Sequence, residues 1–229
     1  MYKRQPNRGG VSFAEYEQGD YVIGGLENWG ASGLAGAWAE ENTRESIFNA
    51  FRRKETFATS GPRILVRFFG GYDLDELTFE NENIIKDAYD SGVPMGGDIF
   101  EEETDKAPSF LIWAQRDVNG APLQRIQVIK GSISRADSRP TEKVYDVACS
   151  DGLEVDPQTN RCPDNGARVD IETCAISKNV GAAELKTIWT DPDFDKTDSA
   201  FYYVRVLENP TCRWSTWDAI RAGFKPRED

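Results

Sequence analysis

The chain has 229 residues, of which 39% are hydrophobic, enough for one large domain or two small ones with a hydrophobic core. Its formal net charge of −12, from 39 acidic and 27 basic residues, argues against nucleic-acid binding and against docking on an anionic membrane, because both need a positive surface. The chain contains no histidine, which removes Ser-His-Asp and Cys-His catalytic sets and every His-ligated zinc site, so a metal here would need oxygen ligands alone.

The first 40 residues are rich in glycine, and the segment GGLENWGASGLAGAWAEEN shows no periodic pattern, so we expect a loop. The opening MYKRQPNRGG lacks the apolar stretch of a signal peptide, and no later run is long enough to span a bilayer. If the protein is exported, we expect the sequence to begin inside a longer protein.

The segment NTRESIFNAFRRKE predicts the clearest helix. Asn42 is the expected N-cap, with Glu45 at the spacing of a capping box. Ile47, Ala50 and Phe51 form the apolar stripe of this helix. The stretch RRKETFATSGPRILVRFF then leads from the cationic helix end through a Thr-Ser-Gly-Pro turn into an alternating strand.

The rest of the chain is expected to be mainly β. In the first strand Ile64, Val66 and Phe68 share one face. A short helix follows and ends near Gly92, and the closing segment STWDAIRAG predicts a last helix with Ser215 as its N-cap. The further predicted strands are PSFLIWAQRD, apolar enough to be central, then LQRIQVIKG, EKVYDVAC, ELKTIWTD and FYYVRVLE.

Two details of this β region concern its connections. Asn119-Gly120 predicts the turn of a hairpin between the first two of these later strands. Several strands without intervening helices favour an antiparallel sandwich. The acidic run DPDFDKTD places Lys196 and Tyr202 where an EF-hand loop needs glycine and glutamate, so we interpret it as a solvated turn rather than a calcium site.

The four cysteines all lie in the C-terminal half, and none belongs to a C-x-x-C pair. An even number in a loop-rich region predicts two disulfides and an oxidising compartment, either periplasmic or extracellular. Three pairings are open from the sequence alone. The candidate disulfide cysteines are Cys149, Cys162, Cys174 and Cys212.

Five segments carry a family resemblance: GLAGAWAEENTRESIFNAFRRKETFATSGPRILVRFFGG, GVPMGGD, APSFLIWAQRD, KVYDVACSDG and DPDFDKTDSAFYYVRVLENPTCRWSTWDAIRAG. In this order they resemble the bacterial family catalogued as domain of unknown function 3604, from about Gly9 to the last residue. Its members look like relatives of the polymerase-and-histidinol-phosphatase (PHP) superfamily. Those proteins hold a cluster of divalent metals in a distorted barrel through His and Asp side chains and use it for phosphoester hydrolysis.

The resemblance implies that this chain is the C-terminal part of such a hydrolase. The family places its Asp-x-His metal ligands just upstream of residue 1, and a closing strand similar to WSSPIWY after the last residue. The chain would therefore hold no metal or other cofactor and have no activity alone. Its partner would be the missing N-terminal barrel of the same protein, which carries the divalent metal, and we expect no nucleic-acid or membrane partner.

The expected fold is α+β and mainly β, with a short helical front end followed by an antiparallel β-sandwich. By the same resemblance, residues 1–62 would be the C-terminal edge of a PHP-like barrel, and residues 63–229 a β-sandwich-like domain with a short terminal helix. Residues 9–42 would line the mouth of the metal site. The candidate site-lining residues are Trp29, Trp38, Glu40, Asn42, Thr59 and Ser60.

An alternative from another functional class is an autonomous β-sandwich that binds carbohydrate, protein or another domain. Exposed aromatic side chains would carry such binding, although tryptophans in sandwiches usually belong to the core. A contiguous apolar patch around Ile47 and Phe51 favours the hydrolase part, whereas a patch on the sheet with a closed front end favours the binding module. The tryptophans in question are Trp113, Trp189, Trp214 and Trp217.

Overall fold

The structure is a computed structural model and describes residues 13–16, 19–22, 32–100, 106–136 and 138–223. Over these residues the chain forms eleven strands, all in antiparallel pairs, and three α-helices. The predicted class, α+β and mainly β, is confirmed. Within the same described ranges, none of the helices has the length and apolar character needed to cross a bilayer.

Three short strands lie in the glycine-rich front region, where a loop was expected. Strands β1 (Phe13–Tyr16) and β2 (Gly19–Val22) pair with each other, and β3 (Leu34–Ala37) pairs with β4 (Thr56–Thr59). In the second pair Gly36 lies opposite Phe57, and a Cβ on Gly36 would come within 2.4 Å of that ring. The glycine thus serves close packing within a strand, so the loop prediction was wrong here.

Helix α1 (Arg44–Arg52) lies between β3 and β4. Its N-cap is Thr43 rather than Asn42, because the Thr43 hydroxyl accepts the Ser46 N–H over 3.3 Å. The Ser46 hydroxyl in turn accepts the Glu41 N–H over 3.1 Å. The helix therefore begins one residue later than expected. Ser46, and not Glu45, bonds back to the segment before the helix.

The larger sheet has the strand order β10-β7-β5-β6. Its central strand β7 is apolar on both faces, as predicted from PSFLIWAQRD. Helix α2 (Ile84–Ser91) and a 3-10 turn (Leu74–Glu76) cover the outer face and pack on Phe69 and Leu111. The four strands are β5 (Leu65–Gly71), β6 (Val93–Pro94), β7 (Ser109–Gln115) and β10 (Glu184–Thr190).

The second sheet has the order β11-β8-β9, formed by β8 (Leu123–Ile133), β9 (Pro140–Cys149) and β11 (Ser199–Glu208). The predicted hairpin between β7 and β8 was wrong, because these strands lie in different sheets. The turn itself forms, and Gly120 donates its N–H to the Asp117 carbonyl over 3.0 Å. Both edges of β7 are taken by β5 and β10, so the chain crosses to the other sheet.

The two sheets pack face to face around one hydrophobic core. Ile64, Val66 and Phe68 are all buried, as the alternation in β5 predicted. The core also takes residues from β7, β8 and β10, with side chains of β11 packed against it. This core fixes the relative position of the strands that line the cleft described below.

Both predicted disulfides are present and settle the pairing. Cys149 is bonded to Cys162 and Cys174 to Cys212. The second joins the long connection between β9 and β10 to the segment before helix α3 (Trp214–Arg221). That helix has Arg213 as its N-cap without a side-chain hydrogen bond, so the prediction of Ser215 as the cap was wrong.

Candidate functional site

The predicted site-lining residues fall in three different environments. Trp29 lies outside the described residues. Glu40 and Asn42 are exposed just before α1. Trp38 belongs to a polar cluster around one buried carboxylate, and Thr59 with Ser60 lies in a cleft between the two large sheets. Of the described candidates, only the neighbouring residues Thr59 and Ser60 therefore line this cleft.

The junction cluster, formed by Trp38, Arg53, Glu55, Arg67 and Tyr89, joins the front end to the larger sheet. The Trp38 indole N–H donates to the carbonyl of the β5 residue 66 over 2.8 Å. The guanidinium carbon of Arg67 lies 3.5 Å from the centre of the Trp38 ring, within the range of a cation–π contact. The only polar group of the Trp38 side chain is thus used in a hydrogen bond of the junction.

Glu55 is the buried charge of the junction cluster, with only 2% of its surface exposed. Its Oε2 lies 3.5 Å from Arg53 Nη2, and its Oε1 lies 3.7 Å from Arg67 Nη1. The Tyr89 hydroxyl donates to Oε1 and accepts from Arg67 over 2.8 Å. Both carboxylate oxygens therefore have cationic partners, which a buried carboxylate requires.

The pKa of the Tyr89 phenol is raised, first because burial disfavours the phenolate and then because Glu55 accepts its proton in a hydrogen bond. Arg67 opposes both effects. Tyr89 therefore stays protonated at neutral pH as a hydrogen-bond donor to Glu55. Tyr89 thus bridges Arg67 and Glu55 as part of the structural joint.

An open cleft of about 1100 Å³ lies between the sheets on the side of β5 and β11. Val66 and Phe68 of β5 form one wall, and Tyr202 and Val204 of β11 lie on the other. Segment 93–99 and strand β4 also line it. The lining combines apolar side chains with charged ones such as Lys54, Arg135 and Glu208. Together with its open form, this lining suits an extended polypeptide segment.

Strand β11 forms one edge of its sheet in the described part of the chain, where it pairs only with β8. Every residue from Ser199 to Glu208 contributes to the cleft, so the backbone edge as well as the side chains faces it. An unpaired strand edge is a template for a further strand.

Two carboxylates lie together near one end of this strand. The pKa of Asp117 is lowered because the backbone N–H groups of Arg63 and Asn119 donate to it. The pKa of Glu208 is raised, mainly by burial and then by repulsion from Asp117. The Oε2 atom of Glu208 is buried and has no hydrogen-bond partner among the described residues. The two carboxyl groups thus differ in proton affinity, and among the described residues no metal-ligand group accompanies them.

The buried lysine cluster, formed by Lys130, Tyr145, Asp191, Asp193 and Tyr202, is a site that the sequence interpretation missed. Lys130 Nζ lies 2.6 Å from Asp191 Oδ2, and their side chains are 7% and 0% exposed. The acidic run is exposed over most of its length, as expected for a solvated turn, but its first residue, Asp191, is buried as the partner of Lys130. The sequence signal for this cluster was the alternation in β8, which places Lys130 on the same inward face as Ile126 and Val128.

The tryptophans considered for a binding module do not form one surface. Trp113 lies on the outer face of the larger sheet and donates its N–H to Glu184 over 3.1 Å. Trp189 lies on the inner face against Phe110. Trp217 in α3 is 39% exposed. Trp113 and Trp189 thus belong to the packing of the sandwich and not to a shared binding surface.

Potential metal ligands do not cluster in the structure as far as it is described: no group of three or more Asp, Glu or Cys side chains is placed to hold an ion. The arrangement therefore gives a polar joint between the front end and the larger sheet, an open cleft of mixed lining and a buried lysine cluster.

Comparison with known proteins identifies one family. Residues 6–229 match the family model described as "Protein of unknown function (DUF3604)". No curated protein and no solved structure gives a match. Because the matched range covers almost the whole chain, this protein belongs to the DUF3604 family of proteins of unknown function.

Proposed function

We propose that this chain is the non-catalytic C-terminal part of a metal-dependent, phosphoesterase-like hydrolase, and that α1 docks against the barrel that binds the metal. The single structural observation that supports the docking is the exposed apolar face of α1. Phe48 and Phe51, three residues apart and hence on neighbouring positions of one face, are 57% and 54% exposed. Paired exposed aromatics of this kind favour an interface.

The side of α1 next to this face packs against the rest of the chain. Ala50 there is fully buried and Ile47 is half-buried. The apolar stripe of the helix is therefore wider than the part that the described residues cover, and Phe48 and Phe51 form the uncovered part. The junction cluster would then hold the helix and its flanking strands in a fixed position on the sandwich, with the aromatic face directed at the proposed barrel.

The hydrolytic chemistry in this proposal rests on the family resemblance alone. The related metallohydrolases bind divalent metals through His and Asp side chains, and the metals acidify a bound water and clamp the phosphoryl group. In this chain residues 1–62 would border the barrel and residues 63–229 would form the attached sandwich. The two disulfides support a periplasmic or extracellular location.

A direct test compares the purified 229-residue chain with a version extended upstream through the proposed barrel. Metal content and turnover of bis(p-nitrophenyl) phosphate are measured for both. We expect bound divalent metal and turnover only in the longer protein. Metal-dependent turnover by the shorter chain would contradict the proposal.

Docking through α1 is tested in the longer protein with Phe48→Ser and Phe51→Ser combined. We expect earlier thermal dissociation of the barrel from the sandwich, seen as two unfolding transitions in calorimetry instead of one. Val118→Ser is the matched control, because Val118 is 81% exposed and lies far along the chain in the β7–β8 turn. One unchanged transition in the α1 variant would contradict the docking.

A second candidate function, a peptide-binding module, is favoured by the cleft and the unpaired edge of β11. Such an edge recognises an extended polypeptide through main-chain hydrogen bonds, while the apolar walls accept alternate side chains. Val204→Lys would place a charge in the wall and abolish such binding. Retained binding of an extended peptide by that variant would exclude the cleft as its site.

A further inference from the structure

The buried lysine cluster places an amine against a carboxyl group in the interior of the sandwich. Lys130 is on β8, and Asp191 directly follows β10. Besides its contact of 2.6 Å with Asp191 Oδ2, Lys130 Nζ donates to the Asp193 carbonyl over 2.7 Å. The pair lies inside the sandwich, so its mutual orientation is fixed by the packing of both sheets.

Two further donors surround the Asp191 carboxyl group. The Tyr202 hydroxyl donates to Oδ2 over 2.7 Å, and the Asp193 N–H donates to Oδ1 over 3.0 Å. The pKa of Tyr202 is raised by burial and by its hydrogen bond to Asp191, which keeps the phenol protonated. Donors on both oxygens of a carboxyl group stabilise negative charge that develops there during attack on its carbon.

The contact itself supplies an acceptor for the proton that the lysine must lose before it can attack, because Asp191 Oδ2 lies 2.6 Å from Lys130 Nζ. The fixed contact then replaces a bimolecular encounter, for which oriented groups gain effective concentrations of about 10⁵ M or more.

We propose that Lys130 and Asp191 condense to an intramolecular isopeptide bond that links β8 to the connection between β10 and β11. The ammonium first gives a proton to Asp191 Oδ2. Nζ then forms a bond to Cγ, and the negative charge on Oδ1 is held by the Asp193 N–H. The Cγ–Oδ2 bond breaks, and the departing hydroxyl takes a second proton from Nζ and leaves as water. Amine and acid thus become amide and water, without an oxidant, a reductant or a cofactor.

The test is the intact mass of the purified wild-type chain. After allowance for two hydrogens per disulfide, we expect a mass lower than that of the sequence by one water molecule. Tandem mass spectrometry of a reduced digest is expected to find a branched peptide that joins Lys130 to Asp191. A full mass without loss of water, in fresh protein and after prolonged incubation at 37 °C, would overturn the proposal.

Loss of water through a succinimide at an aspartate is distinguished by treatment with hydroxylamine, which opens a succinimide and leaves an amide intact. A loss that hydroxylamine reverses, or that maps to other residues, also overturns the proposal.

Two variants locate the chemistry. Lys130→Met is expected to retain the full mass. Lys143→Met is the matched control, because Lys143 also contacts Asp193, over 2.9 Å, but is more than half exposed and has no part in the reaction. It is expected to lose water as the wild type does. If Lys130→Met does not fold, the wild-type mass and the branched peptide still decide the proposal.

Discussion

The indole N–H of Trp38 donates a hydrogen bond of 2.8 Å to the backbone carbonyl of Val66. Val66 pairs with Ala114 of β7 on one side, while β6 reaches only as far as Phe69 and Gly70 on the other. Trp38 thus occupies the part of the β5 edge that β6 leaves open. A single side chain both satisfies that edge and attaches the front end to the larger sheet.

The first prediction concerns this hydrogen bond. Trp38→Phe keeps an aromatic ring beneath Arg67 but removes the N–H, and leaves the partly buried Val66 carbonyl without its donor. We expect a loss of about 1 kcal/mol in the free energy of unfolding, measured by urea denaturation. Trp113→Phe is the matched control, because its N–H bonds an exposed carboxylate that water can satisfy. Equal losses in the two variants would contradict the role assigned to Trp38.

The second prediction concerns the buried carboxylate of the junction cluster. Glu55→Gln retains the shape of the side chain but removes the charge that Arg53 and Arg67 share. We expect a loss of about 2 kcal/mol in the free energy of unfolding, since hydrogen bonds to charged groups contribute about 1.5–3 kcal/mol. Glu82→Gln, at an exposed position, is expected to have no comparable effect.

The same variant tests the electrostatic link to Tyr89. Burial of the phenol remains in Glu55→Gln, but the carboxylate that also raises the Tyr89 pKa is gone. We therefore expect the Tyr89 pKa to fall toward its ordinary value, measured by the ring ¹³C shift in an NMR titration. An unchanged or higher pKa would show that Glu55 does not act on Tyr89.

Strand positions could be predicted wherever one face of the strand is buried. The alternation of Ile64, Val66 and Phe68 identified β5, because in the first part of the strand buried residues alternate with the more exposed Leu65 and Arg67. Strand β3 gave no such signal, since its small residues pack through the backbone and Gly36 fits beneath Phe57. A local pattern also does not show with which strand a given strand pairs. Asn119-Gly120 therefore predicted the turn correctly, but the hairpin between β7 and β8 wrongly.

The polar clusters depend on contacts between distant parts of the chain, which explains why the sequence did not predict them. Lys130 shares the inward face of β8 with Ile126 and Val128, and its position alone indicated a buried charge. Its partner Asp191 lies 61 positions away, in a run whose composition is typical of a solvated turn. Only the packing of the two sheets brings these residues together.

The third prediction concerns the two disulfides. In the chain-entropy model the stabilisation grows with the length of the closed loop, which spans 13 residues for Cys149–Cys162 and 38 residues for Cys174–Cys212. The expected losses of unfolding free energy are about 3 and about 4 kcal/mol. We therefore expect the double Cys→Ser variant of the second bridge to unfold at a lower urea concentration than that of the first. The reverse order would show that native contacts, rather than loop length, decide the contribution.

The fourth prediction concerns the pH dependence of stability at Glu208. Its folded-state pKa is raised above the ordinary value of 4.5, mainly by burial, so the folded state binds a proton more tightly than the unfolded state does. The group therefore opposes folding most strongly above its folded pKa, and this penalty fades as pH falls toward 4.5. Glu208→Gln removes the charge near Asp117 and is expected to raise the free energy of unfolding at pH 7.

The pH series separates this explanation from a general effect of lowering the negative charge of an acidic chain. The gain in Glu208→Gln is expected to shrink as pH falls and to vanish below 4.5, where Glu208 is protonated in both states. Glu142→Gln, an exposed position in β9 of the same sheet, removes the same charge without removing a buried carboxylate. Because its charge is hydrated in both states, we expect little change in its stability at any pH between 4 and 8. An equal gain in both variants at pH 7 would assign the effect to net charge and not to the burial of Glu208.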